Sequence, residues 1–129
     1  MATQPVNPRP SNRTHCIVEI STAADGVSEA VNVTGLAIGS IQMSTAWTDA
    51  AIGFQASLDG STNYYPIYDV LGNHLTYPTS ANRVISFDPG TFVGVQRIQL
   101  VSKTTAGVAV AQAATRTIVL GLVDSVRNS

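Results

Sequence analysis

Residues 47–69 read W-T-D-A-A-I-G-F-Q-A-S-L-D-G-S-T-N-Y-Y-P-I-Y-D, and the reading of this stretch decides the fold. It holds the only Trp, three of the four Tyr and one of the three Phe. Two apolar runs flank the polar tip Asp59-Gly60-Ser61-Thr62-Asn63. A short Gly-containing loop between two such runs is the signature of a β-hairpin, because Gly and Asp supply the backbone conformations of the turn. Pro66 has no N–H to give to a ladder, which places the second run at a sheet edge or a bulge. Alternation sets Tyr64, Pro66 and Tyr68 on one face and Tyr65 and Ile67 on the other.

Outward from the hairpin the pattern repeats. Apolar segments near 14–20, 28–33, 36–43, 83–87, 95–102 and 115–123 join the pair at 52–58 and 63–69, with a short extra strand near 74–77. Turn residues separate them, among them Ala24-Asp25-Gly26, Leu71-Gly72-Asn73 and Asp88-Pro89-Gly90. Short strands at this spacing, rich in Val, Ile, Thr, Tyr and Phe, predict an all-β fold: an antiparallel two-sheet β-sandwich, jelly-roll-like, with an extended N-terminal arm. Ile98 and Leu100 point inward, as do Ile118, Leu120 and Leu122, while Val119 and Val123 hint at a second covered face. Trp47, Phe54, Ile67 and Phe87 complete the predicted core. Residues 108–114 suit at most one helical turn.

Residues 1–13 differ in kind. Pro5, Pro8 and Pro10 stand among Gln, Asn, Ser and Arg, so neither helix nor sheet pairing suits them. The division is an arm over 1–13 and one sandwich domain over 14–129. The arm is either an unstructured tail or a segment that lies across a neighbouring subunit, with Arg9 and Arg13 pairing with carboxylates.

Composition bounds the partners. Only 12% of the 129 residues are charged, about half the usual share of ~25%. Such a surface is cheap to desolvate and suits contact with protein, although a plain Ser/Thr-rich β surface would look the same. The net charge is −1, six Arg are scattered along the chain, and Lys103 is the only lysine, so there is no basic footprint for nucleic acid. No apolar run is long enough for a signal peptide or a membrane span, and the expectation is synthesis in the cytoplasm. Cys16 is single and allows no intrachain disulfide.

No constellation for chemistry stands out. The 59–63 tip offers oxygens, but a calcium loop needs further carboxylates at fixed spacing. His15, His74 and Cys16 do not have zinc-ligand spacing, and nothing orients a Cys–His pair. The expectation is a protein that is not an enzyme and takes no cofactor or metal. Tyr64, Tyr68 and Tyr77 are the candidate contact residues beside Arg9 and Arg13: an aromatic edge covered by the 71–80 loop, a protein interface, or a sugar-stacking face.

The segments A-W-T-D-A-A-I-G-F-Q-A-S-L-D-G-S-T-N-Y-Y-P-I-Y-D, R-V-I-S-F-D-P-G-T-F-V-G-V-Q-R-I-Q-L-V-S and V-A-Q-A-A-T-R-T-I-V-L lie at 46–69, 83–102 and 110–120, and the resemblance they carry covers roughly 36–122. In that order they resemble small proteins encoded in the structural modules of tailed bacteriophages, near the capsid genes. The motif W-T…F-Q-x-S-x-D-G…Y also occurs in discoidin-like and other sugar-binding sandwiches. The resemblance implies a virion component on the capsid exterior: a decoration (cement) protein that binds the major capsid protein, as a homotrimer or other homo-oligomer. The alternative is a tail- or fibre-associated module that binds host glycans. No catalytic or sugar-binding residue carries across from the resemblance.

Overall fold

The computed structural model describes residues 13–124, which hold nine strands. They are β1 (Arg13–Ile20), β2 (Val31–Asn32), β3 (Leu36–Gln42), β4 (Ala51–Ser57), β5 (Tyr65–Pro66), β6 (Thr76–Pro78), β7 (Val84–Ser86), β8 (Arg97–Lys103) and β9 (Arg116–Asp124). A 3-10 turn over Pro89–Phe92 precedes β8; Asp88 caps it by accepting from the Gly90 N–H, and proline opens it. Residues 1–12 of the expected 1–13 arm lie outside the described residues, and Arg13, placed in that arm by the sequence, pairs with Val123 as the first residue of β1.

Two antiparallel sheets pack face to face, one ordered β1-β9-β3-β7 and the other β2-β8-β4-β5, with β6 also on β4. The pairings are nested. β1 lies on β9, β2 on β8, β3 on β7 and β4 on β5, so the chain behaves as one long hairpin rolled up, and the added contacts β9–β3 and β8–β4 close each sheet. This is the jelly-roll arrangement expected from the sequence. β3 carries a bulge between Ile38 and Ser40, and the carbonyl of Gly39 accepts from Phe87 N–H at 2.9 Å, which extends the pairing with β7.

The core lies between the sheets. Val18, Ile20, Ile38, Ile41, Ile52, Phe54, Ile98, Leu100, Ile118 and Leu120 are wholly buried, in line with the alternation of their strands. Phe54 sits at the centre of an aromatic cluster, with ring centroids 4.8 Å from Phe92, 5.9 Å from Phe87 and 6.1 Å from Tyr77. Edge-to-face packing of this kind adds to the area each ring buries. Trp47 and Ile67 pack against the core only in part; the Trp47 indole N–H donates to the Ala50 carbonyl at 3.0 Å.

Residues 108–114 form no helical turn. Val110 N–H donates to Ser102 O, and Ala109 bridges Lys103, so the segment runs extended beside β8. Tertiary pairing overrides the helical tolerance of Ala and Gln. β2 and β5 are two residues each, shorter than the runs read from the sequence, because turns take up the flanks.

Candidate functional site

One end of the sandwich is built by the β4–β5 hairpin. At its tip the Asp59 carboxylate accepts from the Ser61 N–H at 3.0 Å and from the Ser57 hydroxyl at 3.2 Å. The Ser61 N–H first, then the Ser61 and Ser57 hydroxyls, hold that carboxyl below its ordinary value. Asn63 N–H donates to Ser61 Oγ at 3.2 Å. Asp59 Oδ1 and Ser61 Oγ thus serve the turn itself. Gly60 takes φ +78°, and a Cβ there would stand 3.2 Å from Oε1 of Gln96, which lies over it.

Between this tip, β5 and the segment after the 3-10 turn opens a cleft of about 530 Å³. Ala56, Ile67 and Val95 line its deeper part, and Leu58, Asn63 and Tyr65 line its rim. A neighbouring hollow shares Leu58 and Val95 and adds Val93. Leu58 is 70% exposed, Tyr65 68% and Val93 54%, so large apolar side chains gather at one end of the molecule. Asp59 is the one charged residue among those lining the cleft. Exposed apolar surface bordered by neutral polar groups is the composition of a contact surface.

The structure sorts the tyrosines. Tyr65 and Ile67 do share the side that faces the cleft, as alternation requires. Tyr64 is half-buried, and Tyr68 is exposed but turned to His74, with its hydroxyl 3.2 Å from Nε2. Tyr77 is half-buried, and its ring packs on Phe54 and on Phe87, 4.6 Å between centroids for the second pair. Burial raises the Tyr77 phenol above its ordinary value, against the lowering effect of a hydrogen bond with Thr91. Arg9 lies outside the described residues, and Arg13 opens β1 opposite Val123, which pairs in turn with Ala37 near the start of β3; Thr34 and Gly35, just before β3, border the hollow that holds Leu58, so Arg13 lies at this same end of the sandwich. Leu58, Val93 and Val95 were not legible as site residues. Each reads as a strand end or turn flank, and only the fold brings 58 beside 93.

No family model matches the sequence, and no curated protein matches it. Among solved structures, CBM32-1 from a family 31 glycoside hydrolase from Clostridium perfringens is similar, with 16% identity and a TM-score of 0.38 over 87% of this chain and 80% of that chain. A likeness at that level carries no argument about function. The fold described above rests on this chain's own strand order.

A second polar arrangement lies on the flank of the β4–β8 sheet. Lys103 is only 4% exposed, its stem lies across Gly53, and its Nζ is 3.3 Å from His74 Nδ1. His74 continues to Tyr68 through Nε2, and its ring covers Gly107, where a Cβ would collide with it. Burial lowers the Lys103 amine below its ordinary value. His74 is therefore taken up by Lys103 and Tyr68, and His15 and Cys16 sit apart from it on β1. Among the described residues no three of His, Cys, Asp and Glu gather as a metal would require, and no helix is long and apolar enough to cross a membrane.

Proposed function

We propose that this protein is a non-catalytic attachment module, a capsid decoration protein of a tailed bacteriophage that docks on the major capsid protein through the hairpin end of its sandwich. The observation that carries the reading is the apolar gathering of Leu58, Tyr65 and Val93 around a cleft with one charged residue. Apolar and aromatic anchors with few charges are what a stable protein interface requires, because their burial releases free energy with little desolvation cost. The resemblance of the 36–122 segments to phage structural proteins supplies the partner. The arm starts from the same end, where Arg13 opens β1, and adds a segment able to lie along a shell or sister subunit.

A second reading has its own observation. Tyr65 stands over a cleft whose rim also holds Asp59 and Asn63, and an aromatic face beside carboxylate and amide groups is a sugar-stacking geometry.

The test is reconstitution on shells that lack the protein, with copy number measured by quantitative mass spectrometry. Wild-type protein is expected at shell-scale copy number. The Leu58→Ser/Val93→Ser variant is expected to bind about tenfold more weakly or worse, the cost of losing a central apolar anchor. Full occupancy by that variant refutes docking through this end. Absence from shells together with saturable binding to a host glycan establishes the second reading instead.

A further inference from the structure

The opposite end of the sandwich holds a guanidinium clamped in place by neutral groups. Gln112, 2% exposed, is fully used: its Oε1 accepts from Thr48 N–H at 2.8 Å and from Arg116 Nε at 3.0 Å. Its Nε2 donates to Thr48 O at 3.2 Å and to Ser102 Oγ at 2.7 Å. Arg116 Nη2 donates to Thr48 Oγ1 at 3.1 Å, and that hydroxyl oxygen also accepts from Ala113 N–H. Two of the five guanidinium N–H donors are thereby fixed on uncharged acceptors. Among the described residues no carboxylate pairs with Arg116.

Arg116 lines a cleft of about 310 Å³ together with Gln42, Ser44, Thr45, Thr115 and Thr117. Amide and hydroxyl groups share the lining with Met43, Ala46 and Val119, and no acidic side chain is among them. Across Met43, whose N–H donates to the Arg83 carbonyl, a second hollow carries Arg83 and shares Gln42, Met43 and Thr45. A planar cation held by one edge, with donors left over and hydroxyls around it, is pre-organised for a planar oxygen anion. Pre-organisation matters because the side-chain entropy that weakens most surface ion pairs has already been lost on folding.

We infer that this cleft binds a carboxylate presented by a protein partner. A single clamped guanidinium matches a monoanion bidentately, whereas a phosphate dianion would leave charge uncompensated in a chain of net charge −1. The carboxylate comes from an acidic side chain or from a chain terminus. This site lies at the far end of the sandwich from the Leu58 cleft and stands independently of it.

The experiment is an NMR titration of the full chain, following the Arg116 Nε–H and the Thr48 and Ala113 amides. The probes are the acetylated, amidated peptide Gly-Glu-Gly, the same peptide with Gln, acetyl-Gly-Gly-Gly with a free carboxylate, and inorganic phosphate. Saturable shifts are expected with a carboxylate peptide and not with the Gln peptide; the Glu arm and the free-terminus arm tell the two sources apart. Arg116→Gln is expected to lower the affinity about tenfold. Arg116→Lys is expected to lower it several-fold, because an ammonium cannot present the fork. Equal shifts with the Gln peptide, no saturable shift with either carboxylate, or tighter binding of phosphate overturns the assignment. Should Arg116→Gln not fold, the Glu-against-Gln comparison on the wild-type chain decides alone.

Discussion

Replacing Gly26 by alanine should damage the sandwich far more than the same change at Gly72, although both glycines have positive φ. Gly26 takes φ +63° in the turn after β1, and a Cβ there would lie 2.8 Å from Ser102 O and 2.9 Å from Val110 O. Both atoms are backbone, and both neighbours are pinned. Ser102 N–H donates to Gly26 O at 2.8 Å, Val110 N–H to Ser102 O at 2.9 Å, and Gly26 N–H to Ala23 O at 3.0 Å. A left-handed alanine costs about 1–2 kcal/mol. Opening the clash by half an ångström or so lengthens one or two of these bonds, at about 1 kcal/mol each. The sum is about 3 kcal/mol, a fall of roughly 10–15 °C in Tm for a domain of this size. At Gly72, φ +88°, nothing lies within 4 Å of the new methyl, so only the backbone term remains and Tm should fall by roughly 3–8 °C. Differential scanning calorimetry of the two variants reads the contrast. Equal losses, or a loss at Gly26 no greater than the backbone term, would refute the claim that close approach of β8 and the 108–114 segment dictates glycine there.

Two further outcomes follow from the core and its flank. Phe54→Ala should cost about 3–5 kcal/mol and erase much of the near-UV circular dichroism of the Phe–Tyr cluster, since three rings lose their common centre; a loss under 1 kcal/mol would mean that the cluster repacks without it. Lys103→Met should stabilise the protein at neutral pH. Burial lowers the folded-state amine below its ordinary 10.5, so the unfolded chain binds more protons, and wild-type stability rises with pH through that window. The advantage of Lys103→Met should therefore narrow between about pH 7 and about pH 11 in urea titrations, and a constant gap would refute the burial penalty.

The strands were legible because their periodicity is local. Ile98 and Leu100, or Ile118, Leu120 and Leu122, announce an inward face without any knowledge of the partner strand. The tip Asp59-Gly60-Ser61 was legible too, since its hydrogen bonds close within four residues. What escaped depends on distant pairs. Tyr77 reads as one more exposed aromatic until the 3-10 turn brings Phe92 and Phe87 against Phe54 beside it. Residues 108–114 read as helix-tolerant until Ser102 accepts from Val110. Arg116 shares the parity of the inward row Ile118, Leu120 and Leu122, and nothing near it in sequence signals the clamp, whose other jaw is Thr48. The Leu58 cleft was half legible: its aromatic side follows from the hairpin, and its Val93–Val95 side does not.

The nested pairing has a consequence for how the protein comes to exist. β9 lies between β1 and β3, so the last of the nine described strands is the keystone of its sheet. Until residue 124 has cleared the ribosome, β1 has no ladder to join and β3 offers one bare side to any passing strand. Closure therefore waits for residues 116–124 and depends on contacts between residues separated by most of the described chain, a topology that folds in milliseconds to seconds rather than microseconds. A chain interrupted before β9 would carry two sticky edges in place of a finished sheet and would act as an aggregation seed.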